Sequence, residues 1–403
     1  AGELFGSVPT GPYWIRLTTD NPKVTALSLL GSFGLDELDG YLATSLAAKH
    51  LEFSRVYEGA DTLQGQPAET RLAIVNPWDA PVTFRLSLYS PRAGQQFEEP
   101  DELLSEPQLV SLPPNGMLRG SVSEIFGRPM RITSGDVSLE VVEGSGVMGV
   151  ALVQFPGTLM AVTGESPFST KLGYAPQFSA GSSRDLEVIT NLKMINRKSR
   201  WNTGKLTARN YHGGQTQDAA TVGLWPQRSW EGDLAALLKI SSNSDSIYTG
   251  SLTIEFAGTA VPGNLIVGEK SRLRFATSFP VQTLPFTEAI FGHLASNPSI
   301  FTGISISNPN PRPIGVTVEA YDGEGTLLSS KRFSLFALGQ ESRLVSELFP
   351  DLGGRSAGYL RVFADYPIVG VEIFADWALN YYAIVPPTVI APIPIEGATT
   401  LPE

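Results

Sequence analysis

The sequence predicts an all-β protein built as a tandem array of antiparallel β-sandwich modules of about 115 residues, each with one short helical turn. Three observations carry this. Strand-like segments recur that end in a shared way: "LAIVNP" (Leu72–Pro77), "LKMINR" (Leu192–Arg197) and "ISISNP" (Ile304–Pro309). Apolar residues alternate with period two across most of the chain, as half-buried strands require. Glycine (40) and proline (30) are raised while charged residues are only 17%, as in turn-rich β proteins.

The elements follow in the same order in each copy. Taking the asparagine as anchor, Asn76, Asn196 and Asn308 are spaced by 120 and 112 residues. Asn tolerates turn conformations and Pro cannot donate to a ladder, so Asn-Pro ends a strand sensibly; the middle copy departs, with Arg197 where the others have Pro77 and Pro309. A second alternating run follows each anchor: "VTFRLSLYS", "GKLTARNYH" and "IGVTVEAYD". Next comes a one-turn helical patch, "VSEIFG", "GDLAALLKI" or "VSELFP", with Ser or Gly-Asp at the expected N-cap. Two further strands follow, read as a hairpin hinged on Gly or Pro, in "GDVSLEVVEGSGVMGVALVQF", "GSLTIEFAGTAVPGNLIVGE" and "GYLRVFADYPIVGVEIFADW". A last strand closes the unit, "LMAVTGES" in one copy and "YYAIVPP" in another.

Roughly seven strands over about 115 residues match the size of an immunoglobulin-like sandwich; a barrel of similar strand number is the alternative. The run of strand, Asn-Pro, strand, helical turn and hairpin resembles the tandem immunoglobulin-like or fibronectin-like modules of secreted bacterial surface proteins. The resemblance is architectural and covers most of the chain. It implies an extracellular, elongated array serving as stalk, adhesin or filament subunit.

The beginning of the chain looks like its end. Residues 3–46 ("ELFG", "YWIRLTTDNPKVTALSLLG", "GYLATSL") align with the second half of the repeat, and the first half is missing. The expected domains are an incomplete module over 1–49, sandwiches over 50–172, 173–285 and 286–387, and a Pro-rich tail over 388–403. A half sandwich exposes an apolar face and unpaired edges, which something must cover. The missing half lies upstream in a longer chain, or the half packs on the next sandwich, or a neighbouring subunit supplies strands. Leu17, Val24, Leu27, Leu29 and Leu30 are the candidates for the face that needs covering. The tail, apolar at Val389, Ile390, Ile393 and Ile395, is a candidate donor or else a proline-stiffened linker.

Composition disfavours several functions. A net charge of −11 repels a phosphate backbone, so nucleic acid is not an expected partner. The absence of cysteine excludes disulfides, thiolate metal sites and thiol nucleophiles, and with a sandwich array points to a bacterial or archaeal exterior. No apolar run is long enough to span a membrane as a helix.

Catalytic patterns are missing as well. His50, His212 and His293 have no metal-ligand spacing and read as surface or loop residues. No G-x-S-x-G elbow or phosphate-binding loop occurs. The acidic run "FEEPDELLSEP" (Phe97–Pro107) reads as a solvated loop, and "DELD" (Asp36–Asp39) and "DGEG" (Asp322–Gly325) lack calcium-loop spacing. Trp78, Trp377, Tyr381 and Tyr382 are candidate glycan-stacking aromatics, with core packing the first expectation.

No metal or cofactor is expected. The expected function is that of a non-catalytic extracellular subunit that assembles with copies of itself, head to tail, into a surface filament or layer, its incomplete N-terminal module completed by a neighbour. An adhesin or carbohydrate-binding stalk of a larger secreted protein is the alternative.

Overall fold

The computed structural model describes residues 14–18, 26–31, 38–42, 47–91, 99–166, 170–183, 186–214, 219–240, 246–355 and 357–392. Every strand pair is antiparallel, and one arrangement of two facing sheets occurs three times. In the first sandwich, one sheet orders Gln108–Leu112, Val82–Ser90, Ile132–Glu143 and His50–Glu58; the other orders Met117–Ser121, Glu69–Val75, Met148–Phe155 and Thr158–Thr163. The second repeats this order, its sheets joined where Gly181–Ser183 meets Leu186–Val188. In the third, one long strand, Tyr359–Asp376, runs through both sheets. We call His50–Glu58, Leu172–Ser183 and Phe286–Phe291 the docking strands. Glu69–Val75, Leu186–Asn196 and Ile300–Ser307 are the anchor strands. Thr158–Thr163, Ala276–Pro280 and Tyr382–Val385 are the closing strands.

Alternation puts the core where the pattern demands. In Glu69–Val75, Thr70, Leu72 and Ile74 are buried while Arg71 is exposed. They pack with Phe53, Phe84, Leu139, Val153 and Met160, each large apolar side chain adding about 1.5–3 kcal/mol. The second and third cores form in the same way around Phe178 and Phe279, and around Phe291 and Ile306.

The anchor asparagines explain the repeat. Asn76, Asn196 and Asn308 are all buried, and each Nδ2 donates to two carbonyls. These are Ala80 and Pro113, Arg200 and Leu224, and Arg312 and Phe336, at 2.7–2.9 Å. Each Oδ1 accepts from the N–H two residues on, at Trp78, Lys198 and Asn310. The carbonyls of those residues accept from Asn115, Gln227 and Leu338, which all hold positive φ of 56–58°. Asparagine alone offers two donors and an acceptor in this geometry, so Arg197 replaces proline in the middle copy without loss.

The helical turns lie where expected, at Val122–Ile125, Leu234–Leu237 and Val345–Leu348. Their caps are partly different. Ser121 forms a capping box with Glu124, and Asp233 caps Ala236 N–H. In the third, Leu344 is the N-cap and only its own N–H is satisfied, by Glu347.

Two expectations are corrected. The predicted hairpins are arches in the first two copies and one continuous strand in the third. Ile132–Glu143 pairs with His50–Glu58 and Val82–Ser90, whereas Met148–Phe155 lies in the facing sheet. A Gly or Pro break between alternating runs suits either a hairpin or an arch; burial of both inner faces selects the arch. The tail expected to begin at 388 starts as a strand of the third sandwich. Thr388–Pro392 pairs with Phe286–Phe291 as an edge strand, which its proline tolerates.

The N-terminal half module is a hairpin, Leu27–Gly31 with Leu38–Leu42. Its apolar side is covered within the chain: Leu27, Leu38 and Leu42 pack on Phe374, Tyr381, Ala383 and Val385 of the third sandwich. Leu38–Leu42 also touches Thr158–Thr163, which touches Ala276–Pro280, which touches Tyr382–Val385, which returns to Leu38–Leu42. The four closing strands therefore meet in a ring, and the expected elongated array is replaced by a closed one. Among the described residues no helix is long and apolar enough to cross a membrane.

Candidate functional site

The ring brings four strands to one buried carboxylate. Asp39 Oδ2 accepts from Ala161 N–H at 2.7 Å, and Oδ1 accepts from Gly40 N–H at 2.8 Å and from Thr277 Oγ1 at 3.1 Å. Thr277 Oγ1 in turn accepts from Ile384 N–H at 3.0 Å. Each closing strand thus contributes one group. Burial pushes the Asp39 carboxyl up to about 8. Gly40 follows because a side chain there would strike Phe374 at 2.9 Å.

The junctions between neighbouring units are built on one repeated position. Thr70, Thr190 and Thr302 accept at Oγ1 from the N–H of Tyr57, Ser179 and Ala295 on the docking segments. Two residues before these stand Arg55, Gln177 and His293, each aimed at the next unit around the ring.

Arg55 is fully buried. It donates from Nη1 to Glu231 at 2.7 Å and from Nη2 to the carbonyls of Asn191 and Asn264 at 3.0 and 3.1 Å. Around it, Lys193 Nζ donates to Gly135 O at 2.8 Å and lies 3.6 Å from Asp136. Arg197 bridges Asp101 and Asp136 and lies over the Tyr89 ring at 4.1 Å. Burial raises the Glu231 carboxyl, yet Arg55 and Lys193 outweigh it and hold the group below the ordinary range. Nearby Glu52 and Glu165, without direct ion partners, are pushed by burial up to about 8. Glu165 spans the junction, accepting from Ser54 Oγ in one sandwich and Gly263 N–H in the next.

The second junction is uncharged: Gln177 Oε1 accepts from Gln340 Nε2 and Ser342 Oγ, and Pro176 O accepts from Ser305 and Ser307. The third, where His293 faces the N-terminal hairpin, holds an apolar cavity of about 360 Å³ lined by Leu29, Leu38, His293, Ile300, Phe374 and Tyr381.

A pH dependence follows from these carboxyls. For Asp39, Glu52 and Glu165 the folded pKa, about 8, lies above the ordinary value near 4. Their contribution is full below about pH 4 and is lost as pH rises towards about 8. The thermal midpoint is expected to fall steadily between about pH 5 and pH 9; a flat profile over that range contradicts the assignment.

The residues singled out from the sequence are scattered. Leu17 and Leu29 are exposed, Leu27 and Leu30 half-buried. Val389 and Ile390 are half-buried in the edge strand of the third sandwich, Val389 facing Ala289. Val24, Ile393 and Ile395 lie outside the described residues. Trp78 and Trp377 are 43% and 53% exposed but stand on different sandwiches, with indole N–H groups committed to the carbonyls of Gly146 and Asn297. Tyr381 is buried and Tyr382 packs on Phe275 at 5.3 Å, so these four form no shared platform.

Asp39, in the "DELD" run, is fully buried. One other expectation is corrected. Asp101, assigned to a solvated loop, is buried and takes Ser229 and Arg197. His293 lies in a loop, half-buried against a cavity. The signal for the junctions was charge interleaved with large apolar residues in one strand, as Glu52, Arg55 and Glu58 are in "HLEFSRVYE".

No protein-family model and no curated protein matches the chain. Among solved structures it is similar to Bacteroides uniformis beta-glucuronidase 2, at 10% identity and a TM-score of 0.14 over 53% of this chain and 26% of that one. It is similar to a glycosyl hydrolase family 2 member from Bacteroides cellulosilyticus at 5% identity and a TM-score of 0.14, over 57% and 32%. To red sea bream transglutaminase it has 11% identity and a TM-score of 0.12, over 59% and 31%. The chain thus spans a quarter to a third of each of these proteins, and likeness at this level carries no argument for activity.

Proposed function

We propose that the chain is a non-catalytic structural protein of the cell exterior, a subunit of a filament or layer, joined to a neighbouring chain by strand addition at Leu27–Gly31. One observation supports this. The first strand of each other closing hairpin is paired on its far side by an anchor strand: Met148–Phe155 by Glu69–Val75, Gly263–Glu269 by Leu186–Asn196, and Tyr359–Asp376 by Ile300–Ser307. Leu27–Gly31 pairs, among the described residues, only with Leu38–Leu42. An unpaired strand edge is a template for another chain. The cell exterior rests on composition: a cysteine-free, acidic array of sandwiches. Growth then proceeds from one sheet edge of a closed ring, in place of the end of a rod. Glycan binding is the weaker reading, since Trp78 and Trp377 are far apart in the fold and their polar atoms are engaged.

Light scattering across a concentration series and negative-stain microscopy test the proposal, with Leu29→Lys as the edge-blocking variant. Assemblies in the parent and monomers in the variant, with matching thermal melts, are expected. A parent that stays monomeric throughout contradicts self-assembly.

A further inference from the structure

We infer that the segment completing the N-terminal half unit is an extended strand of the anchor type, with Thr six residues before Asn, which adds to Leu27–Gly31 and fills the cavity at His293. The inference rests on the preceding reading that a strand is added there and specifies its chemistry.

The argument comes from the three equivalent junctions. Arg55 reaches Asn191 in the anchor strand of the next unit, and Glu231 in the strand Arg228–Asp233 beside it. At the next junction Ser305 and Ser307 of the anchor strand meet Pro176 O, while Gln177 meets Gln340 and Ser342 of Gln340–Leu344. In both, the docking residue is received by the anchor strand and its neighbour. His293 holds the same position, and its unit packs on the hairpin closely enough that a side chain at Gly292 would meet Leu27 at 3.4 Å. Where the other junctions have an anchor strand, this one has the cavity of about 360 Å³, lined by Leu29 of the strand whose far edge has no partner among the described residues. The cavity and the open edge thus belong to the same strand, Leu27–Gly31.

The recipient groups define what fits. The wall formed by Leu29, Ile300, Phe374 and Tyr381 is apolar. His293 Nδ1 is engaged with Thr302 Oγ1 at 2.9 Å, and burial lowers the ring's pKa, so it faces the cavity as a neutral imidazole. At the position three residues before the anchor asparagine, the other junctions carry Lys193 and Ser305, both polar and both directed across the junction. The incoming strand thus presents a polar group to His293 and apolar groups to the wall.

An intact second copy cannot lend its own anchor strands. Each is already paired on both edges: Glu69–Val75 by Met117–Ser121 and Met148–Phe155, Leu186–Asn196 by Arg228–Asp233 and Gly263–Glu269, Ile300–Ser307 by Gln340–Leu344 and Tyr359–Asp376. A donor from a neighbouring copy would therefore be an extended segment not already folded into a complete sandwich.

The test uses labelled synthetic peptides with the chain's own anchor sequences, Ile300–Pro309 and Glu69–Trp78, titrated against the full chain by fluorescence anisotropy. Saturable binding is expected, weakened about ten-fold or more by Leu29→Lys in the protein or by Ser305→Pro in the peptide, which removes a ladder donor. Slower hydrogen exchange at residues 27–31 is expected in the complex. Absence of binding by both peptides, or binding indifferent to Leu29→Lys, overturns the inference. Peptide binding by a parent that never self-assembles overturns only the filament reading. Assembly without peptide binding overturns only the strand chemistry.

Discussion

Replacing Arg55 by alanine is expected to destabilise the protein by about 3–5 kcal/mol, the cost typical of breaking a buried ion pair by removing one partner. Three acceptors lose their donor together: Glu231 and the carbonyls of Asn191 and Asn264. Glu231 keeps Ser134 and the nearby Lys193, so the loss is partly softened for that carboxylate, while the two carbonyls lose the guanidinium's bonds outright. The double variant Arg55→Met, Glu231→Met separates the contributions. If charge pairing alone matters, the apolar pair restores most of the stability, as is often found for buried pairs. The structure predicts only partial recovery, because the Asn191 and Asn264 carbonyls still lose their bonds from the guanidinium. Urea unfolding of the three proteins decides; a loss below about 1 kcal/mol for Arg55→Ala would show that the junction is held by apolar packing.

Asp39→Ala is expected to cost about 2–3 kcal/mol, by leaving Ala161 N–H and the Thr277 hydroxyl buried and unpaired. Its distinguishing effect is local. The N-terminal hairpin should become sensitive to limited proteolysis ahead of His50 while the three sandwiches stay resistant. Asp39→Asn is expected to lose less than alanine near neutral pH, since a carboxyl with a pKa of about 8 is protonated there and the amide, with a donor and an acceptor, comes closer to that form. Thr277→Val tests the same point from the other side, by removing the acceptor of Ile384 N–H. An Asp39→Ala protein with unchanged hairpin protection would mean that Leu27, Leu38 and Leu42 hold the hairpin without the carboxylate.

Much of the repeat was legible because its determinants are local. The asparagine closing each anchor strand satisfies groups four residues on, and its neighbours alternate with the pleat, so Asn76, Asn196 and Asn308 mark the units without knowledge of the third dimension. The arches were not, because Gly144 and Gly146 end a strand equally well whether the chain turns back in its sheet or crosses to the facing one. The junctions were less legible still. Asp39 sits in an acidic run without calcium-loop spacing, and its partners Ala161 and Thr277 lie 122 and 238 residues away. Lys193 looks like an outward strand residue, which it is; that its outward face is covered by another sandwich depends on how whole units pack.

Three of the four junctions around the ring carry different chemistries: ionic at Arg55, uncharged and polar at Gln177, apolar and open at His293. This amounts to an address system for folding. A misfolded chain in which the first sandwich met the third would set Arg55 against Ser305 and Ser342, with no carboxylate of the Glu231 kind to receive it. The same mismatch would follow from deleting the middle repeat, so the copies are not interchangeable parts despite their shared plan. Lengthening or shortening this protein by whole units would therefore require recoding each new boundary, and its size is fixed by side chains at the seams as much as by the number of sandwiches.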